Sequence, residues 1–215
     1  MPPAATIVRV PRQGRSRESF ERIIGATIEL LRERAYDQIT LAEICRRSGV
    51  STGALYGRVG GKDELLQVVQ VRYLESLAAQ FDGAAARIAA GPRGLDQVVP
   101  AVVAGLGNVL RENAGVLRSF MLRASADPAI GAAGKQSALE NHARFARLLQ
   151  ACRDEIRHPH PDRAVDTGLL LIYATQARFL GLDSTGRLEE AGSWSQLLED
   201  LSGMMLAFLL FVPPR

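Results

Sequence analysis

Apolar residues recur along most of this chain at spacings of three and four. From about Arg15, the residues Phe20, Ile23, Ile24, Thr27, Ile28 and Leu31 share one face, with Glu21, Arg22, Gly25, Glu29 and Arg32 opposite. That period predicts a helix with one buried stripe. Thr40 followed three residues later by Glu43 predicts a capping box. The short helix it opens turns Leu41, Ile44 and Cys45 inward and ends at Gly49, where a positive φ suits glycine. Ser51 is placed as the N-cap of a second short helix running to about Tyr56. Gly60-Gly61 interrupts the pattern, and Lys62-Asp63-Glu64 opens a new helix with two acids at the positive end of its dipole.

The rest also reads as helix. One long helix is predicted from Lys62 towards Ala90, ended by Gly91-Pro92, and another over roughly 95–111 with a kink at Pro100. Shorter stretches are predicted around 116–125 and 135–156. His158-Pro159-His160-Pro161 breaks the chain, and Asp162 is expected to cap a helix through Val165, Leu169, Ile172, Tyr173, Gln176 and Leu180. A loop carrying Gly181, Asp183, Ser184 and Gly186 follows. Ser193 with Gln196 forms a second capping box before an apolar helix containing Leu201, Met204, Met205, Phe208 and Leu209. Neither strand alternation nor an internal repeat is present. The predicted fold is all-α: an N-terminal three-helix helix-turn-helix domain, then a larger helical bundle domain. The boundaries are a flexible basic arm over 1–14, the first domain over 15–62 and the second over 63–215.

Charge sharpens this division. Residues 1–62 hold eleven Lys and Arg against six Asp and Glu, whereas the remaining residues hold fifteen against seventeen. The basic character belongs to the N-terminal quarter, arm and helix-turn-helix together, and suggests a polyanionic partner there. The two cysteines, Cys45 and Cys152, imply neither a disulfide framework nor a zinc module. No signal peptide is visible, and the longest apolar run, Met204 to Val212, is far short of the roughly 20 residues a membrane span needs. A cytoplasmic protein without a membrane partner is expected. No catalytic triad, nucleotide-binding glycine loop or metal-spaced ligand set appears, so neither an enzyme nor a cofactor is expected. His158-Pro-His160 is a lone histidine pair in a proline-rich loop.

Two short helices joined by a tight glycine turn in a basic segment form a helix-turn-helix pattern. Five blocks then occur in order: Phe-Glu-Arg-Ile-Ile-Gly-Ala-Thr-Ile-Glu-Leu-Leu from residue 20, Tyr36 to Thr40, Ala42-Glu43-Ile44, Gly49 to Tyr56, and Lys62 to Leu66. In these the chain resembles the DNA-binding domain of the TetR family. The resemblance spans less than a quarter of the chain. Beyond it, only length and helical character are similar.

The resemblance implies a regulator of transcription, commonly a repressor, that binds double-stranded operator DNA. The second short helix would present Ser51, Thr52, Gly53 and Ala54 to the major groove. Thr52 can bond a base edge or touch a thymine methyl, as Ala54 can. Tyr56 and Lys62 resemble phosphate contacts, Thr40 offers a helix N-terminus to another phosphate beside its capping role, and Arg15 and Arg17 can reach the backbone or an adjacent groove. Three departures stand out. Arg58-Val59 replaces the usual aromatic or His followed by Phe, and Arg58 is a candidate extra DNA contact. Gly61 replaces a capping Ser, and Cys45 replaces an Ala. The family also implies a homodimer through the last two long helices, around 163–181 and 193–211, hence a pseudo-palindromic operator. A small-molecule effector, unidentified, is expected among the middle helices. Its candidate contacts are the apolar Leu106, Phe120, Met121, Phe145 and Tyr173, each of which also serves as ordinary core, and the polar Arg123, His142 and Arg178. A helix-turn-helix protein that docks on DNA without any ligand is the alternative. A redox sensor through either cysteine is a third reading.

Overall fold

The computed structural model describes residues 14–91, 93–182 and 192–212. Among them are eight α-helices and no strand. They are α1 (Gly14–Glu33), α2 (Leu41–Ser48), α3 (Thr52–Tyr56), α4 (Lys62–Ala90), α5 (Leu95–Arg123), α6 (Pro128–Gln150), α7 (Pro161–Phe179) and α8 (Trp194–Leu209). Single 3-10 turns sit at Tyr36–Gln38 and Arg153–Glu155. The predicted arm over 1–14 falls almost wholly outside the described residues, as does most of the loop after Leu182.

The first three helices pack as the apolar stripe of α1 requires. Ile23, Ile24, Leu30 and Leu31 are buried against Ile44, Val50, Leu55 and Val59. Thr27 is buried on that stripe because its hydroxyl donates to the Ile23 carbonyl at 2.8 Å. Gly49 caps α2 at φ 66°. The Thr40 box is half formed. The Thr40 hydroxyl accepts from the Glu43 N–H at 3.2 Å, but the Glu43 carboxylate turns away to Arg34. Cys45 is buried as a small apolar residue.

α4 begins where the first unit ends and carries on without interruption. Its first turns bury Leu65, Leu66 and Val69, and its later turns bury Tyr73, Leu77 and Phe81. With α5 and α6 it forms a three-helix bundle in which each helix packs on the other two; α7 packs on α5 and α6, and α8 on α5 and α7. Gly168 in α7 leaves room for Met205 of α8, whose thioether occupies the space a side chain would take.

Four boundaries differ from the predicted ones, one of them the end of α6 at Gln150, short of the predicted 156. α5 is one helix to Arg123 and not two pieces. Asn113, in the gap left between the two predicted helices, is buried inside it and bonds the Tyr73 hydroxyl, the Gln80 side chain and the Val109 carbonyl. Gly115 is a close-approach site: a Cβ there would lie 3.5 Å from the Arg32 backbone of α1. α6 starts at Pro128, since Asp127 caps it by accepting from the Ala129 and Ile130 N–H groups at 3.0 and 3.2 Å, and Pro is pre-shaped for the first helical position. α7 starts at Pro161 for the same reason. His160 stands at the N-cap position, and Asp162 lies in the first turn, paired with Arg153. The Ser193–Gln196 capping box is complete.

Candidate nucleic-acid interface

α3 is held from both ends. The Ser51 hydroxyl accepts from the Ala54 N–H at 3.3 Å, and Leu55 is fully buried beneath the helix. This leaves Ser51, Thr52, Gly53 and Ala54 all exposed on one surface. No atom lies within 4 Å of where a Gly53 Cβ would be, so the outer face of the helix is unobstructed. Tyr56 follows, 54% exposed despite its large ring. Thr40 and Arg17 are exposed as well. The Arg15 side chain lies outside the described residues.

Two basic residues sit otherwise than expected. Arg58 is turned inward. Its Nη2 donates to the Ser16 hydroxyl at 3.0 Å and reaches Ser19 at 3.5 Å, and its guanidinium lies 5.5 Å from the centre of the Phe20 ring. Its Nη1 is buried without a partner. In this arrangement Arg58 ties α1 to the turn after α3. Lys62 donates to the Tyr36 carbonyl at 2.6 Å and rests 4.0 Å above the Tyr36 ring. Burial draws its ammonium below the ordinary lysine value.

Tyr36 is the centre of a cluster that joins the first three helices to the rest. Its hydroxyl donates to Asp63 Oδ1 at 2.5 Å, and Arg123 pairs with Asp63 Oδ2 at 2.9 Å. Arg123 also lies 5.6 Å from the Tyr36 ring centre. Burial and the bond to Asp63 hold the Tyr36 phenol well above its ordinary value. Arg123 therefore belongs to this junction, where it lines a cavity of about 440 Å³, and does not line the apolar cavity of the helical bundle.

That cavity, of about 420 Å³, lies among α4, α5, α6 and α7. Leu106, Phe120, Met121, His142, Phe145 and Tyr173 line it, whereas Arg178 does not. Burial raises the Tyr173 phenol, so its hydroxyl stays a neutral donor. His142 Nε2 lies 2.9 Å from Asp166. Sequence reasoning missed Gln70, Phe81, Lys135 and Asn141 among the lining residues. The legible signal was Gln70, a polar residue on the buried stripe between Leu66 and Tyr73.

The apolar surplus foreseen on the last helix is largely consumed within the chain: Leu201, Met205 and Leu209 are buried, and Phe208 packs 5.0 Å from the His158 ring. What stays outside is Met204 at 60%, with Leu210, Phe211 and Val212 exposed after it, and, on α7, Leu170 at 61% and Leu171 at 52%; Gly203 and Ala207 of α8 are exposed small residues. Among the described residues no helix is long and apolar enough to cross a membrane, and no group of three metal-ligating side chains is assembled.

Comparison with known proteins agrees with this arrangement. The family described as bacterial regulatory proteins, tetR family, matches residues 23–69. The uncharacterized HTH-type transcriptional regulator TtgW of Pseudomonas putida is 39% identical over 66 residues, which are 31% of this chain and about half, 49%, of that protein. A candidate TetR-family transcriptional regulator from Mesorhizobium loti is 20% identical with a TM-score of 0.71, over 92% of this chain and 98% of that one. The fatty acid degradation regulator FadR of Bacillus halodurans is 13% identical with a TM-score of 0.64, over 91% and 97%. The solved structures share the fold along nearly the whole chain, while the sequence likeness is concentrated at its N-terminal end.

Proposed function

Through its residues 23–69 this chain belongs to the TetR family of bacterial regulatory proteins, and on that footing we propose that it is a repressor that binds a pseudo-palindromic operator as a homodimer and leaves it when a small effector fills the cavity. One observation carries the DNA reading. α3 is fixed from below by Leu55 and shows only small side chains, flanked by Tyr56, on its free face. A helix so built can enter a major groove closely, with the Thr52 hydroxyl and Ala54 methyl at base edges. Ser51 and Gly53 let the backbone approach, and Thr40, Tyr56, Arg15 and Arg17 are proposed for phosphates. Lys62 joins them once it leaves the Tyr36 carbonyl. Arg58 is withdrawn from this set and assigned to holding α1.

The exposed Leu171 and Met204, with Gly203 and Ala207 permitting close backbone approach, support pairing of α7 and α8 with their copies in a second chain. Release is supported by the last turns of α5. Phe120, Met121 and Ala124 line the cavity, while Arg123 in the same turns grips Asp63 at the start of α4. Occupancy that shifts these turns bears directly on the Tyr36 cluster. A coupling of about 1–3 kcal/mol gives a roughly 5- to 150-fold change in DNA affinity.

The test is fluorescence anisotropy with duplex DNA from immediately upstream of the protein's own gene, against a scrambled duplex, at two salt concentrations. Binding at least ~10³-fold tighter to the upstream DNA is expected. Equal, salt-sensitive binding to both would reject sequence-specific recognition of that site.

A further inference from the structure

The cavity offers charge of one sign only. Its depth is apolar, with Phe81, Leu106, Phe120 and Phe145 buried around it. Neither Asp nor Glu is among its lining residues; the basic ones are Lys135 and His142. His142 already faces Asp166. Lys135 is exposed, and no ion pair engages it among the described residues. The polar groups deeper in the wall are neutral, and Gln70 and Asn141 are partly engaged, by the Ile130 carbonyl and by Arg144.

The opening is marked by the surface itself. Met121, Leu139 and Leu170 line the cavity and yet are 37%, 56% and 61% exposed. Large apolar side chains left in water at one place mark a binding site. Here they frame an apolar entry with a lysine on the α6 side.

We propose that the effector is an amphiphilic organic acid, its apolar body in the cavity and its single anionic head at the mouth on Lys135. This rests on the reading of the cavity as the effector site. A cationic ligand would lose its hydration among walls holding no carboxylate. An anion buried in the depth would fare no better, so the head belongs at the mouth, where water and the Lys135 ammonium both reach it. The aromatic walls are the one feature that could favour a cation, and the experiment is built to expose that.

The full chain is titrated with the neutral fluorophore N-phenyl-1-naphthylamine, which is then displaced by decanoate, 1-decanol or decyltrimethylammonium, three molecules that share a ten-carbon chain and differ in the head. Decanoate is expected to compete at about 1.5- to five-fold lower concentration than decanol, the range of one exposed ion pair, and at least about ten-fold lower than the cation. Lys135→Gln should erase the advantage over decanol and leave decanol unchanged. A cation competing as well as the acid, or decanoate indifferent to Lys135→Gln, overturns the proposal and leaves the cavity reading intact. Failure of the fluorophore and all three amphiphiles to bind overturns the cavity reading itself. Gly134→Leu locates the site: a Cβ there meets only the Gln70 amide, at 3.7 Å, so the larger side chain fits by filling the cavity. A folded variant, judged by its helical circular dichroism, should no longer bind the fluorophore. Retained binding overturns the assignment to this cavity.

Discussion

Arg58 separates two roles that a basic residue next to a recognition helix can have. Substituting it with methionine keeps a long stem over Phe20 and removes the guanidinium. The bond to Ser16 at 3.0 Å is charge-assisted and is worth about 1.5–3 kcal/mol. The 3.5 Å approach to Ser19 adds little. The guanidinium over Phe20 adds about 0.5–1 kcal/mol. Against this, the buried, unpartnered Nη1 disappears with the substitution, relieving about 1–3 kcal/mol. Arg58→Met should therefore destabilise by only about 1 kcal/mol. Arg58→Ala also opens space beside Phe20 and should cost about 2 kcal/mol, lowering Tm by about 4–8 °C in a chain of this size. Thermal melting followed by circular dichroism measures the first effect, and anisotropy with DNA at four salt concentrations measures the second. The salt slope of both variants should match that of the parent chain, since no phosphate contact is lost. A slope shallower by about 0.9 with an unchanged Tm would refute the structural role and return Arg58 to the DNA surface.

The other predictions use the same assays. Lys62→Ala should weaken binding to all sequences alike and flatten the salt slope by about one; an unchanged slope would leave the lysine to the Tyr36 carbonyl alone. Asp63→Asn removes the anion that both Arg123 and Tyr36 engage, so DNA affinity should respond less than about five-fold to saturating decanoate while decanoate binding persists; an intact response would place the coupling elsewhere. Asp127 is pushed up by burial, but the Gln67 amide, the Ile130 and Ala129 N–H groups and Arg123 together outweigh this and hold its carboxyl below the ordinary value of 3.8. Its stabilisation is thus complete above that value and is lost as pH falls through the depressed folded one. Asp127→Ala should cost about 1–2 kcal/mol in urea unfolding at pH 7, and the gap should begin to narrow only as pH falls below 3.8; a gap independent of pH would refute the charged cap.

Legibility followed sequence separation. The caps at Thr40 and Ser51, the glycine at 49 and the stripe of α1 are local signals, and the first unit could be read from them. The Asp127-Pro128 start of α6 is equally local, but Gly131 and Gly134 dilute the helical pattern there and hide it. The gap predicted between residues 111 and 116 holds Asn113 and Gly115, whose reasons lie elsewhere, in Tyr73 and Gln80 of α4 and in the backbone of α1. Arg58 and Lys62 read as free cations since their partners stand 42 and 26 residues away. No periodicity reports a pairing at that range. The cavity was half legible: large apolar side chains were expected there, but which of them face a void depends on how four helices leave one another space.

The unbroken course of α4 has a mechanical consequence. Twenty-nine residues rising about 1.5 Å each make a rod about 43 Å long. Its far part walls the cavity through Leu74, Leu77 and Phe81, and its near end carries Lys62 and Asp63 beneath the helix-turn-helix. A helix with its hydrogen bonds intact bends little, so a tilt imposed at one end arrives at the other as displacement. About 5° becomes nearly 4 Å, roughly a tenth of the ~34 Å between successive major grooves. In the proposed dimer, a change in side-chain packing too small to alter any helix would in this way move the two reading heads out of step with their DNA.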